Sequence, residues 1–160
     1  MGREVERKFL VTGEGWRAHA GPGVRMRQGY LASDPACSVR VRIEGDRARL
    51  NIKSATLGVE RLEYEYDIPL RDAEEMLARL CTTPPVEKVR YRVPWGGHEW
   101  EVDVFEGANA GLVLAEIELE RPDEPFERPP WVGEEVSHDP RYYNVTLARH
   151  PYREWGRAQG

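Results

Sequence analysis

Charged residues of one sign recur at every second position in several short segments of the chain. The basic set is Arg40, Arg42, Arg49 and Lys53, and the acidic set is Glu116, Glu118 and Glu120. Arg and Lys bind phosphate oxygens through charge-assisted hydrogen bonds, and carboxylates supply the oxygen ligands that Mg²⁺ and Mn²⁺ prefer. A basic wall opposite an acidic wall therefore suits a phosphate chain with a divalent metal. Phosphoryl transfer needs positioning and charge neutralisation more than covalent help from the protein.

These charges alternate with apolar residues, and this period of two predicts β-strands with one apolar and one charged face. An additional strand is expected over residues 24–31. The alternating segments are residues 5–11, 39–43, 50–52, 62–66, 89–93, 100–104 and 115–119. Residues 44–46 and 95–98 contain glycines that suit tight hairpins, and residues 54–58 suit a longer connection. Short loops between consecutive strands predict an antiparallel meander.

Few helices are expected. Residues 70–80 have helical apolar spacing, with acidic residues early and Arg79 late, which suits the helix dipole. Asp139 and Pro140 suit the N-cap and first position of a second helix that runs to about residue 149. A short helix is expected near residues 15–20, and the four prolines within residues 122–130 predict an irregular loop.

The charged strand faces have two explanations. An antiparallel sheet commonly has one solvated side, which would leave these charges in water. Enclosure is favoured because the faces are almost entirely Arg, Lys, Glu and Asp and are sorted by strand. A closed barrel of about eight strands has a lumen that can hold one small ligand. Its charges must be compensated by each other, by a ligand or by a metal, because unpaired buried charge is costly. The apolar face would then point outward, under helices and loops.

The composition limits the class of protein. The 160 residues fit a single domain over residues 1–160, and a net charge of −5 does not favour nucleic-acid binding. Cys37 and Cys81 are outside any CxxC pair or Cys/His cluster, which argues against a zinc site and favours reduced thiols. The charged N-terminus does not resemble a signal peptide, and no apolar run is long enough to span a membrane. We expect a soluble cytoplasmic protein with a small anionic partner.

The run Glu4-Val5-Glu6-Arg7-Lys8 followed by Phe9-Leu10-Val11 resembles the ExExK signature of the CYTH proteins, the triphosphate tunnel metalloenzymes. Further segments resemble the bacterial short-chain inorganic triphosphatase branch of that family, in order along nearly the whole chain. They lie at residues 28–31, 39–42, 52–54, 61–65, 87–91, 101–105, 115–118, 135–137 and 141–144. One departure is Asn51, where many relatives have Thr.

The resemblance implies a mainly β (α+β) fold: a closed eight-stranded antiparallel barrel that forms a tunnel, with a few flanking helices and a C-terminal helix around Tyr142 and Asn144 at one mouth. It implies metal-dependent hydrolysis of inorganic triphosphate to pyrophosphate and phosphate, with Mg²⁺ or Mn²⁺. Catalytic roles near the scissile phosphate are implied for Lys88 and Tyr30. The implied substrate-binding residues are Lys8, Arg40, Arg42, Lys53, Arg61, Lys88 and Arg90. The implied metal-binding residues are Glu4, Glu6, Glu63, Glu65, Asp103, Glu116 and Glu118.

Other functions use the same residues. An adenylyl cyclase or a thiamine triphosphatase of this family would bind an organic triphosphate in the same tunnel. A non-catalytic module that binds polyphosphate or nucleotides would need the basic residues but not so many aligned acids. The pair Glu116 and Glu118 therefore favours an enzyme.

Overall fold

The strands close into a barrel. A computed structural model of the protein describes residues 3–34, 36–54 and 59–155. Its strands are β1 (Arg3–Val11), β2 (Val24–Ser33), β3 (Cys37–Glu44), β4 (Arg47–Ser54), β5 (Glu60–Ile68), β6 (Val86–Trp95), β7 (His98–Phe105), β8 (Val113–Leu119) and β9 (Val132–Glu135). The order around the barrel is β5-β4-β3-β2-β6-β7-β8-β1, and β1 also pairs with β5, which closes it. All these pairings are antiparallel, so the predicted eight-stranded barrel is confirmed.

The predicted meander is only partly correct. β2 to β5 and β6 to β8 are consecutive neighbours, but β6 follows β5 in the chain and pairs with β2. β1 lies between β8 and β5 because these two pairings close the cylinder. β9 was not predicted; it adds to the edge of β1 outside the eight-stranded ring.

The predicted hairpin turns lie between β3 and β4 and between β6 and β7. Gly45 has a φ of 61°, and Gly96 and Gly97 have φ values of 60° and 81°. Positive φ in two-residue loops matches the twist of the flanking strands. The predicted connection over residues 54–58 lies outside the described residues apart from Ser54.

Helix α1 (Leu70–Arg79) is where the spacing predicted it, and residues 15–19 form a short 3₁₀ helix. The predicted C-terminal helix is interrupted. Pro140–Tyr142 is a 3₁₀ turn, and α2 (Asn144–Arg149) begins after Tyr143, whose ψ of 140° is extended. The side chain of Asp139 accepts a hydrogen bond from the backbone N of Arg141, as expected of an N-cap. No helix in the described ranges is long and apolar enough to cross a bilayer.

The apolar strand faces point outward, and most of them are covered. Trp16 and Trp131 are buried in a cluster with Trp100 on one side of the barrel, and Leu77 of α1 is buried against Val41 on another. The predicted cover is incomplete over β5, because α1 packs against β2, β3 and β4. The side chains left exposed there are Leu62, Tyr64 and Tyr66.

One end of the barrel interior is apolar. Phe105 and Leu114 point into it and pack with Tyr142 and Leu147 of the C-terminal segment. The charged part of the interior therefore begins above an apolar floor, and burial of this floor anchors the C-terminal segment beside the charged side chains.

Candidate functional site

The charged faces of the strands surround a cavity. The larger compartment has a volume of about 490 Å³, and Arg40, Arg42, Glu116 and Glu118 all line it. A smaller compartment of about 50 Å³ lies toward Lys8, Tyr143 and Asn144. Arg40, Lys53, Arg61 and Glu6 line both compartments, so they lie where the two meet. Most of the sequence-predicted acids and bases thus line these two connected compartments, whereas Lys88 and Asp103 line neither of them.

Asp103 and its cations form the most buried part of the site. Arg90 donates from Nε to Oδ1 at 2.8 Å and from Nη2 to Oδ2 at 2.9 Å, and Lys88 Nζ lies 2.8 Å from Oδ2. Lys88 and Asp103 are fully buried. Burial lowers the pKa of Lys88 to about 7, which the adjacent Asp103 opposes. Burial disfavours the charge of Asp103, but Arg90 and Lys88 outweigh it and lower the pKa of this carboxyl.

The glutamates of β1 face other cations. Lys53 Nζ lies 3.3 Å from Glu4 and 3.1 Å from Glu63. Arg61 lies 3.7 Å from Glu4 and 3.9 Å from Glu6. The two contacts of Arg61 are long for ion pairs, and both carboxylate oxygens of Glu4 are buried without a hydrogen bond from any described residue. Glu4 is therefore an incompletely satisfied anion on the tunnel wall.

Glu116 lies between two cations, on the same strand face as Glu118. Lys8 Nζ and Arg90 Nη2 are each 3.6 Å from its carboxylate. Two residues further along β8, Glu118 is exposed and lines the larger compartment. The pKa of Glu118 is raised to about 7, first by partial burial and then by repulsion from Glu4, Glu6, Glu63 and Glu101. Crowded carboxylates of this kind favour a cation between them.

A divalent metal fits these acids if other oxygens complete its coordination. No group of three His, Cys, Asp or Glu within the described part of the chain is close enough to hold a metal alone. Mg²⁺ commonly uses one or two carboxylates together with water and substrate phosphate oxygens. The unbonded oxygens of Glu4 and the crowding around Glu118 match that need. Asp103 is engaged by two cations, so this geometry favours a role in holding Lys88 and Arg90.

Arg40 and Arg42 differ from the other cations of the site. Lys8, Lys53, Arg61, Lys88 and Arg90 each lie within 4 Å of at least one carboxylate. For Arg40 and Arg42 no described carboxylate is that close, and Nε of Arg40 is buried without a hydrogen bond. Both side chains line the larger compartment. They are the cations most in need of an anion from solution.

The C-terminal segment contacts both tunnel lysines. Lys8 Nζ donates to the backbone O of Tyr142 at 3.1 Å, and Lys88 Nζ lies 3.5 Å from Oδ1 of Asn144. Tyr30 is buried, lines the smaller compartment and also packs with Phe105 in the apolar floor. The ends of the predicted site thus depend on the residues that follow the barrel.

The described geometry combines a charged lumen, two arginines with no described carboxylate within 4 Å, and a set of crowded carboxylates. The family model of the CYTH domain matches residues 2–152. This chain belongs to the CYTH family. A relative from Acetivibrio thermocellus named inorganic triphosphatase is 47% identical over 155 residues, which are 97% of this chain and 99% of the relative. A second relative with the same name, from Nitrosomonas europaea, is 40% identical over 151 residues, which are 91% of this chain and 96% of the relative.

A protein of known structure has the same fold. It is a crystal structure of an inorganic triphosphatase, with 38% identity and a TM-score of 0.64, and the match covers 91% of this chain and 93% of that one.

Several contacts of this CYTH tunnel could not be found by looking for charge. Gln28 is fully buried and its Oε1 accepts from Nε of Arg42 at 3.1 Å. Asn51 is buried and donates to Glu65 at 2.6 Å. Both are neutral amides on inward-facing strand positions. Both lie an even number of positions from inward-facing charged residues on their strands or across the pairing, which indicates that they also face the lumen. A search limited to acids and bases does not find them.

Proposed function

We propose that this protein hydrolyses inorganic triphosphate to pyrophosphate and phosphate, with a divalent metal, Mg²⁺ or Mn²⁺, bound in the tunnel. The names of the two relatives support this substrate. The observation that carries the proposal is the pairing pattern. Arg40 and Arg42 have no carboxylate partner among the described residues and share one cavity with the crowded carboxylates around Glu118. A phosphate chain would neutralise the two arginines, and a divalent cation would neutralise the crowded carboxylates.

The basic wall binds the substrate. Arg40 and Arg42 hold phosphate oxygens, because a guanidinium can donate two hydrogen bonds to one phosphate. Lys8, Lys53, Arg61 and Arg90 already face carboxylates, and they supply additional positive potential along the chain of phosphates. Glu4, Glu6, Glu116 and Glu118 would hold the metal, and Glu63 and Glu65 would support it. When bound, the metal supplies charge neutralisation and lowers the pKa of a bound water.

Lys88 is the proposed proton donor. Water attacks the terminal phosphorus as the bond from that phosphorus to the bridging oxygen breaks. The crowded carboxylates around Glu118 accept the proton that the water loses, and Lys88 gives a proton from Nζ to the departing oxygen. A pKa of about 7 lets Lys88 both hold and release a proton near neutral pH. Asp103 fixes the position of Lys88. Tyr30 lies at the smaller compartment and is the second candidate for contact with the scissile phosphate.

The test is a substrate panel with several metals. Tripolyphosphate, ATP and thiamine triphosphate are each incubated with the protein and Mg²⁺ or Mn²⁺, and the products are followed as phosphate, pyrophosphate and cyclic AMP. We expect metal-dependent release of phosphate and pyrophosphate, fastest from tripolyphosphate. Tight tripolyphosphate binding without turnover would identify a binding module, and cyclic AMP as the main product would identify a cyclase.

The proposal includes a single domain over residues 1–160 and a cytoplasmic location. The eight strands that form one ring support the first. The free thiols of Cys37 and Cys81 support the second, because reduced cysteines are typical of that compartment.

A further inference from the structure

Gln28 is a neutral side chain within the charged interior. It lies on β2 directly opposite Arg42 of β3 and is fully buried. Its Oε1 accepts a hydrogen bond from Nε of Arg42 at 3.1 Å. A guanidinium only donates hydrogen bonds, so the amide must present its oxygen to Arg42. The amide nitrogen Nε2 is then left as a donor, and no described residue accepts from it.

Lys8 and Lys88 also contact neutral oxygens, those of Tyr142 and Asn144, but each of these lysines has a carboxylate within 4 Å as well. Arg42 has the amide of Gln28 and no described carboxylate within that distance. Arg90 is held by Asp103, Lys53 by Glu63 and Lys8 partly by Glu116, all of which are carboxylates. A carboxylate orients a cation but also neutralises it. Gln28 orients Arg42 through Nε without adding a negative charge beside it, so the charge of Arg42 remains available to an anion in the cavity that Arg42 lines.

Arg42 needs such an anchor because its neighbours are cationic. Burial, and after it the charges of Arg40 and Arg90, lower the pKa of Arg42 to about 10. Repulsion from these two cations favours side-chain positions in which Arg42 turns away from them. A hydrogen bond at Nε restricts the guanidinium while its two terminal nitrogens stay free for phosphate oxygens.

We propose that Gln28 is a positioning residue that orients Arg42 for phosphate binding without neutralising it. This inference rests on the proposed function, in which Arg42 binds a phosphate oxygen. It assigns to the amide a role that no charged side chain at this position could fill.

The test compares two substitutions with similar volumes. Gln28→Glu keeps an oxygen acceptor for Nε but adds a charge that neutralises Arg42. Gln28→Met keeps the apolar volume and removes the acceptor. Tripolyphosphate binding is measured by calorimetry with EDTA present, which makes the readout independent of turnover. We expect the dissociation constant to rise by about tenfold or more for Gln28→Glu and by several-fold for Gln28→Met.

A double-mutant cycle with Arg42→Gln separates positioning from general effects. If Gln28 acts through Arg42, the effect of Gln28→Glu on affinity largely disappears in the Arg42→Gln protein. If the new charge merely repels the phosphate chain, or if Gln28 only fills space, the effect is the same in both backgrounds, and the proposal is wrong. Wild-type affinity in Gln28→Glu and Gln28→Met would also overturn it.

Thermal melting shows whether each variant is folded. If Gln28→Glu is not folded, the same cycle is measured with Gln28→Met. The proposed hydrolysis is judged separately, from wild-type turnover with metal. A wild type that binds tripolyphosphate but does not hydrolyse it would reject the triphosphatase activity and still allow the Gln28 cycle to be completed.

Discussion

Arg90 holds both oxygens of Asp103, with Nε 2.8 Å from Oδ1 and Nη2 2.9 Å from Oδ2. The same carboxylate faces Lys88, so one fully buried anion compensates two cations. A buried charge that loses its partner is strongly destabilising, because the low-dielectric interior cannot replace the lost interaction. Asp103 is therefore the main compensating charge for Lys88 and Arg90, although Arg90 also lies 3.3 Å from Glu101 and 3.6 Å from Glu116.

Asp103→Asn is expected to lower the free energy of unfolding by about 3 kcal/mol. The substitution keeps the shape and removes the charge, so Lys88 and Arg90 are left facing each other. Urea denaturation without metal measures the loss. The matched control is Glu99→Gln, which removes the partner of Arg92 from an exposed pair at 2.9 Å and should cost less than about 1 kcal/mol. Equal losses in the two variants would show that Asp103 does not have this role.

Lys88 should make phosphate binding depend on pH near neutrality. Burial lowers its pKa to about 7, so in the free protein the ammonium is charged below that pH and neutral above it. We expect the affinity for tripolyphosphate to fall as the pH rises above about 7, relative to Lys88→Arg, in which the guanidinium stays charged. The changing charge of the substrate is common to both proteins. The measurement is the ratio of their dissociation constants between about pH 6 and about pH 9. A ratio that does not change with pH would show that Lys88 does not titrate in this range.

Most of the strands could be predicted because the alternation that reveals them is local. Val102 and Asp103 point to opposite faces of β7 as a direct consequence of strand geometry. The pairing of β2 with β6 and the addition of β9 to β1 are contacts between distant segments, and no local pattern encodes them. The interrupted C-terminal helix was missed for a similar reason. Tyr143 takes an extended conformation where the segment crosses the end of the barrel.

The candidate site could be predicted as a set of residue types but not as a set of pairs. Arg40 and Arg61 both lie on inward strand positions. Only the closed barrel shows that Arg61 faces Glu4 and Glu6 while Arg40 has no described carboxylate within 4 Å. Likewise, Asp103 has the residue type of a metal ligand, and its two cations become evident only when β6 and β7 are aligned.

Glu118→Gln should increase stability and decrease metal-dependent activity. Partial burial, followed by repulsion from nearby glutamates, raises the pKa of Glu118 to about 7. The folded state therefore binds more protons than the unfolded state between about pH 4.5 and about pH 7, and stability from this group falls as the pH rises through that window. Without metal, the variant should melt at a higher temperature than wild type at about pH 8 and at the same temperature at about pH 4.

The same variant should need at least about tenfold more Mn²⁺ for half-maximal hydrolysis of tripolyphosphate. Glu120→Gln is the control, because Glu120 is exposed just beyond the end of β8 and does not line the cavity. Its melting temperature and Mn²⁺ requirement should match those of wild type. A lower melting temperature for Glu118→Gln at about pH 8 would contradict the proposed repulsion.

Gly29→Ala should destabilise the protein without changing the site. Gly29 lies on the outer side of β2, and an added Cβ would be 2.9 Å from Cδ2 of Leu77 and closer still to Sγ of Cys81. Overpacking of this kind costs about 1–3 kcal/mol, and we expect a lower melting temperature with an unchanged KM for tripolyphosphate. Gly15→Ala is the control, since a Cβ there meets no atom within 4 Å. The closest clash is with the cysteine, so adding Cys81→Ala should recover part of the lost stability. A double variant no more stable than Gly29→Ala would show that this contact is not the cause.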